Sequence, residues 1–198
     1  NEFIEDNDLY KLAIESRGMF PKLSESLLNE TGIDIQFKDS GLIKIANQED
    51  DLESLTRQYE FLRQMDSSVK RLSYDELIQL TNANVEPAYG AIHIPSDGQI
   101  NANKYTKALF KSLQQHHITR YYHQEVQSID RRNGYYAVCT DQMSPIEAHK
   151  VIIASGAWSS QLLKNYSLPR EVIGVKGEVL LLEHDELELK ETLFMTNG

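Results

Sequence analysis

Residues 151–159 read Val-Ile-Ile-Ala-Ser-Gly-Ala-Trp-Ser, and no other stretch narrows the possible folds as far. The short β-branched run predicts a buried strand. The Ala-Ser-Gly step predicts a turn, and a helix opens near Ala157. A strand that passes into a helix through small residues lets another molecule approach the backbone closely. In doubly wound α/β folds such a step lies beside a bound dinucleotide. Taken alone, the same residues also read as an ordinary buried strand ending in a turn.

What precedes this step is mixed. Asp8 is the expected N-cap of a long helix with Leu9, Ala13, Phe20, Leu23 and Leu27 on one face, a kink at Pro21 and an end at Gly32. Residues 33–37 and 42–46 read as two strands of a hairpin turning at Lys38-Asp39-Ser40-Gly41. Leu52, Leu55, Tyr59 and Leu62 mark a second amphipathic helix, and Ser73 with Glu76 forms a capping-box pattern for a third, ending near Leu80. A short strand at 91–95 leads through the Pro95–Gly98 turn to Asn101, the cap of a helix burying Tyr105, Ala108, Leu109 and Leu113. Strands are then expected at 118–122, 125–130, 135–140 and 148–154, with Asn133-Gly134 as a hairpin turn. A helix over 158–164 stops before Leu168-Pro169, and 177–183 reads as a strand with an apolar centre, Val179 to Leu182. This order predicts two interleaved subdomains.

Composition excludes several functions. A net charge of −10 disfavours nucleic acid and anionic membranes as partners. No apolar run approaches the roughly 18 residues of a membrane span. The opening Asn-Glu-Phe-Ile-Glu-Asp has neither the basic nor the apolar region of a signal peptide and no initiator Met, so it reads as the interior of a longer protein. Cys139 is the single cysteine; it falls in an alternating strand, where a buried, inert thiol is expected, and a cytoplasmic location fits. The histidines, His93, His116, His117, His123, His149 and His184, show no metal-ligand spacing and read as surface or satisfied side chains. There is no Gly-x-Gly-x-x-Gly, no Walker loop and no Gly-x-Ser-x-Gly elbow, and nothing local activates Ser155. The acidic clusters at 49–51 and 183–188 read as solvated surface, and Lys176-Gly177-Glu178 as a turn.

Several segments together resemble one family. Ser16-Arg17-x-Met19-Phe20-Pro21, Thr31-Gly32-Ile33-Asp34-Ile35 and Ser40-Gly41-Leu42-Ile43 are similar to glycine oxidases. Pro95-x-Asp97-Gly98-x-Ile100-Asn101, followed by Tyr105 and Ala108-Leu109, resembles a segment of the wider FAD-dependent D-amino acid oxidase superfamily. Glu125-Val126 with Ile129, and then 151–159, resemble its flavin-domain meander and closing strand, while Val175-Lys176-Gly177-Glu178 is closer to glycine oxidases in particular.

The resemblance covers nearly the whole chain in one order. It implies an α/β and α+β fold: part of a Rossmann-like FAD-binding domain interleaved with a substrate domain on a mixed, largely antiparallel sheet. Residues 1–31 and 98–169 would belong to the flavin side, 32–97 and 170–198 to the substrate side. FAD would be the cofactor. Hydride would leave the α-carbon of a small amino acid or amine for the flavin, oxygen would carry the electrons away as hydrogen peroxide, and the imine would hydrolyse to an oxo acid and ammonia. Val126, Ala154, Ser155 and Gly156 would lie on the cofactor, and Trp158 would pack. Asn197 would line the substrate pocket or sit in a turn.

The resemblance also implies what the 198 residues lack. The Gly-rich loop would precede Asn1, and the substrate-binding Tyr and carboxylate-pairing Arg would follow Gly198. The chain alone is therefore expected to be an inactive internal fragment. A homo-oligomer and a link to thiamine biosynthesis come with the family. A sarcosine oxidase or another FAD-dependent dehydrogenase of the superfamily, or a non-enzymatic interaction module, are the competing readings.

Overall fold

The computed structural model describes residues 3–82, 88–164, 166, 172–180 and 190–196. They fall into two compact units, one of residues 1–118 with 184–198 and one of residues 119–183.

The larger unit opens with helix α1 (Asp8–Thr31). Its N-cap is Asn7 rather than the expected Asp8: Asn7 has extended backbone, and its side chain accepts from the Tyr10 amide at 2.9 Å. The helix continues through Pro21 and ends at Gly32. Its inward stripe runs Tyr10, Ala13, Phe20, Leu23, Leu27, Thr31, while Leu9, expected inside, is 64% exposed. Tyr10 turns inward because it packs with Leu55, Leu62 and the sheet, whereas Leu27 at the other end of the helix meets Ile35 and Ala108.

Residues 33–37 do not form the expected strand. The Asp34 carboxylate accepts from the Gln36 amide at 2.7 Å, Gln36 takes a left-handed backbone, and Ile35 is buried with Leu27 of α1 and Ala108 of α4 (Ala102–Gln115). A side chain that captures its own backbone competes with ladder pairing. Only Lys38 pairs, with Gln99. Helix α4 is capped by Asn101 as expected, but it buries Ala108 while Leu109 and Leu113 stay exposed.

The sheet of this unit has the order β2-β3-β1-β7, from Lys70–Leu72, Gly90–Ile94, Leu42–Ala46 and Thr192–Met195. β3 pairs antiparallel with β1 and β2, and β7 joins β1 in parallel. Period-two alternation splits the strands between two cores. Leu42, Ala46, Ile92 and Ile94 meet Leu55 and Leu62 of α2 (Leu52–Met65) together with Tyr10. Ile43, Ile45, Leu72 and Ala91 meet Leu77 of α3 (Tyr74–Thr81). The predicted capping box of α3 is formed by Ser73 and Glu76.

The smaller unit is the antiparallel meander β4 (Val126–Arg132), β5 (Tyr135–Thr140) and β6 (Ile146–Ala148), followed by the short helix α5 (Ser159–Leu162). The turn at Asn133-Gly134 is as expected. Three expected strands are corrected. Residues 118–122 form none. The 148–154 strand is replaced by β6, and residues 151–155 pair with no described strand. Within 177–183 the described residues, 177–180, are not in a strand, and the rest lie outside the described residues. Ile152, Val179 and Leu180 are 92%, 93% and 86% exposed, so the described residues of these runs have the composition of buried strands but pair with no described neighbour. Cys139, expected to be buried, is half-buried on β5, with its thiol 3.6 Å from Asp130 Oδ2.

Candidate functional site

The sequence-predicted residues of the smaller unit lie on two connected elements. Val126 opens β4 opposite Thr140, half-buried, and the register shifts by a bulge between it and Ser128. Ala154, Ser155 and Gly156 form the step into the short helical turn at Gly156–Trp158 and then α5, which packs on β4. Gly156 has φ +54°, and a Cβ there would meet no atom within 4 Å. Ser155 Oγ lies 3.1 Å from Ser159 Oγ, a local bond across the first turn. The step is therefore small, open and left-handed at one residue, the form that lets a ligand lie against the backbone. Trp158, expected to pack, is 67% exposed.

Beside this step is a cavity of about 450 Å³, a volume within the range of small-molecule sites. Ile129, Ile153 and Leu163 give it an apolar lining, Tyr136 and Tyr166 give it rings, and His149 and Lys150 give it basic groups. The Tyr166 hydroxyl donates to the Ile129 carbonyl at 3.0 Å, which ties the chain after α5 to β4. Sequence reasoning singled out the segments of Ile129 and Ile153 but not Tyr136, Leu163 or Tyr166. Tyr136 alternates inward with Val138 in a strand that was legible, but Tyr166 reaches β4 from across the fold.

In the larger unit, β7 is the strand leading toward the expected substrate residue. Its Thr196 amide donates to Ile45 O at 3.1 Å, and the Thr196 hydroxyl donates to Asp51 Oδ2 at 2.5 Å. Asn197 itself lies outside the described residues. His93, on β3 opposite Ile43 and Lys70, has both ring nitrogens buried without a hydrogen-bond partner. Burial lowers its pKa, Glu191 works against that shift and Lys70 adds to it. Among the described residues no group of His, Cys, Asp and Glu is placed to hold a metal.

The sequence model of the family described as FAD dependent oxidoreductase matches residues 2–197. The chain belongs to that family. It is 33% identical over its whole length to a glycine oxidase of Geobacillus kaustophilus, of which the match covers 52%. It is 27% identical over 96% of its length to a glycine oxidase of Bacillus subtilis, covering 50% of that protein. The crystal structure of the Geobacillus kaustophilus glycine oxidase superposes over all of this chain and 53% of its own, with a TM-score of 0.79 and 28% identity. That of the Bacillus cereus glycine oxidase covers 83% of this chain and 46% of its own, with a TM-score of 0.70 and 30% identity. The chain thus spans about half the length of the relatives it matches.

The family is FAD dependent, and the fold is the FAD-binding one expected. The smaller unit fits such a group. Gly156 offers a backbone surface that no described side chain meets, and the cavity beside it joins apolar and aromatic walls to His149 and Lys150 in a chain of net charge −10. The Lys150 ammonium, a cation in an acidic protein, suits a ligand with negative charge. No described helix is long and apolar enough to cross a membrane.

Proposed function

We propose that the protein carrying this chain oxidises glycine, or another small amine or D-amino acid, to an oxo acid, ammonia and hydrogen peroxide. The reading rests on one observation: the similarity to glycine oxidases runs from end to end of the chain, in sequence and in fold. Bound FAD would supply two-electron oxidation of the amine to the imine, with oxygen as the final acceptor and water completing the hydrolysis.

The chain's own residues bind and orient. Val126, at the start of β4, and the Ala154–Gly156 step would hold the cofactor through backbone and small side chains. The flavin side would comprise 1–31 and 98–169, and the substrate side 32–97 and 170–198. β7 would carry Asn197 to the substrate. Residues 1–198 contain no Gly-x-Gly-x-x-Gly loop, and no Arg among them matches a carboxylate clamp, so alone they would turn over no substrate. The full-length protein would act as a homo-oligomer in the cytoplasm.

The test is peroxide release by the full-length protein with glycine, sarcosine and D-alanine as alternative substrates. The proposal expects glycine-dependent peroxide. A protein with flavin and no peroxide from any of the three contradicts it and favours a dehydrogenase that passes electrons elsewhere.

A further inference from the structure

We propose that a cavity of about 240 Å³ in the larger unit, lined by Gln36, Lys38, Gln99, Ile100 and Asn101, binds a small carboxylate. The reasoning is a count of what the rim has left to offer. Asn101 Oδ1 already accepts from the Lys104 amide at 3.1 Å. Gln36 Oε1 accepts from Asn101 Nδ2 at 3.0 Å, and Gln99 Oε1 accepts from the Thr192 hydroxyl at 3.2 Å. Every side-chain carbonyl of the rim thus already accepts one bond. Among the described residues the donors without a partner are the Gln36 and Gln99 side-chain nitrogens and the Lys38 ammonium, which makes no ion pair.

The Lys104 amide fixes the orientation of Asn101, and Asn101 Nδ2 in turn fixes that of Gln36, so the Gln36 nitrogen is the end left for a ligand. The platform is held by the backbone, since Lys38 and Gln99 exchange both N–H···O bonds at 2.9 Å and the Asn101 amide donates to Ile35 O at 2.9 Å. Gln36 has φ +56°, a conformation that costs energy in a non-glycine residue. Its amide donates to the Asp34 carboxylate at 2.7 Å, which places one negative charge behind the turn. With one cation and two neutral donors on the rim, a monoanion is matched and a dianion is not. A carboxylate, with about four lone-pair sites on two oxygens, can use all three groups.

The test is an NMR titration of the full-length protein with acetate, and separately with inorganic phosphate, reading the side-chain amide signals of Gln36 and Gln99. Saturable shifts of both signals with acetate are expected, in the millimolar range. Lys38→Met should weaken acetate about tenfold by removing the one charged donor. Gln99→Leu, which keeps the charge, should weaken it less and abolish the shift difference at Gln36. Signals unmoved by acetate, tighter binding of phosphate, or unchanged affinity in Lys38→Met would each overturn the proposal. The readout is local to these side chains and does not depend on turnover, so it stands apart from the oxidase reading.

Discussion

His93 carries two ring nitrogens shut away from water with no hydrogen-bond partner among the described residues. Burial holds its pKa below the ordinary 6.5. Between that lowered value and 6.5 the unfolded chain takes up a proton that the folded chain refuses. The stability that goes with the neutral ring is therefore present above 6.5 and is lost as pH falls through this window. Urea midpoints measured from about pH 7.5 to about 5.5 should decline, and His93→Leu should flatten that decline. An identical pH slope in the variant would show that His93 does not carry it. The ring also faces Gly41, which has φ +84°; a Cβ there would lie 3.0 Å from His93 Nε2 and 3.3 Å from Ile94 O. Gly41→Ala should cost about 1–3 kcal/mol in the same measurement. At this scale the sequence was partly legible. The small residues of the Ala154–Gly156 step could be read because size and backbone freedom are properties of single residues. The burial of His93 could not, because it depends on Lys70, Gly41 and Glu191 arriving from three other segments.

Helices were legible as elements because their signals are local. Ser73 accepts from the Glu76 amide at 3.2 Å and Glu76 accepts from the Ser73 amide at 2.8 Å, a reciprocal pair written three residues apart. Hydrogen bonds to the carboxyl, first from the Ser73 backbone amide and then from its side chain, lower the Glu76 pKa. Ser73→Ala should lower the unfolding free energy by about 1 kcal/mol. Long-range ties at helix ends were not legible. Lys111 of α4 donates to Thr31 O at 2.6 Å, Ser112 donates to Glu30 Oε1 at 2.9 Å, and Gln115 donates to Glu30 O at 3.0 Å. They satisfy carbonyl and carboxylate oxygens at the C-terminal end of α1, where the helix dipole is negative. Lys111→Met should cost about 1 kcal/mol by denaturant unfolding, and Lys111→Arg should restore part of it. Strands divided by whether a partner was near. The β4–β5 hairpin followed from Asn133-Gly134, since a two-residue turn fixes its own pairing. The runs at 148–154 and 177–183 were apolar enough for buried strands, but period and composition do not supply the neighbour that a ladder requires.

On the scale of the whole molecule, the most readable property was the order of moderately specific segments. A long helix, a mixed sheet with two further helices, a returning helix, a meander and a small-residue step into a helix follow one another here, and the match to the FAD dependent oxidoreductase family covers residues 2–197. Half of the length of the relatives lies outside the match. A phosphate-gripping loop and a carboxylate-pairing arginine are single local motifs, so a chain without them shows its family through packing and order rather than through catalytic residues. The same reasoning predicts that residues 1–198, expressed alone and supplied with FAD, release no peroxide from glycine, which a coupled peroxidase assay would read directly. For the full-length protein, the most direct test is anaerobic addition of glycine while the visible absorption of its flavin is followed. Bleaching of the oxidised-flavin band, reversed on admitting air with formation of peroxide, is the predicted result. A band that glycine, sarcosine and D-alanine all leave unchanged, or a full-length protein that binds no flavin, would contradict the assignment of this chain to an amine-oxidising flavoenzyme.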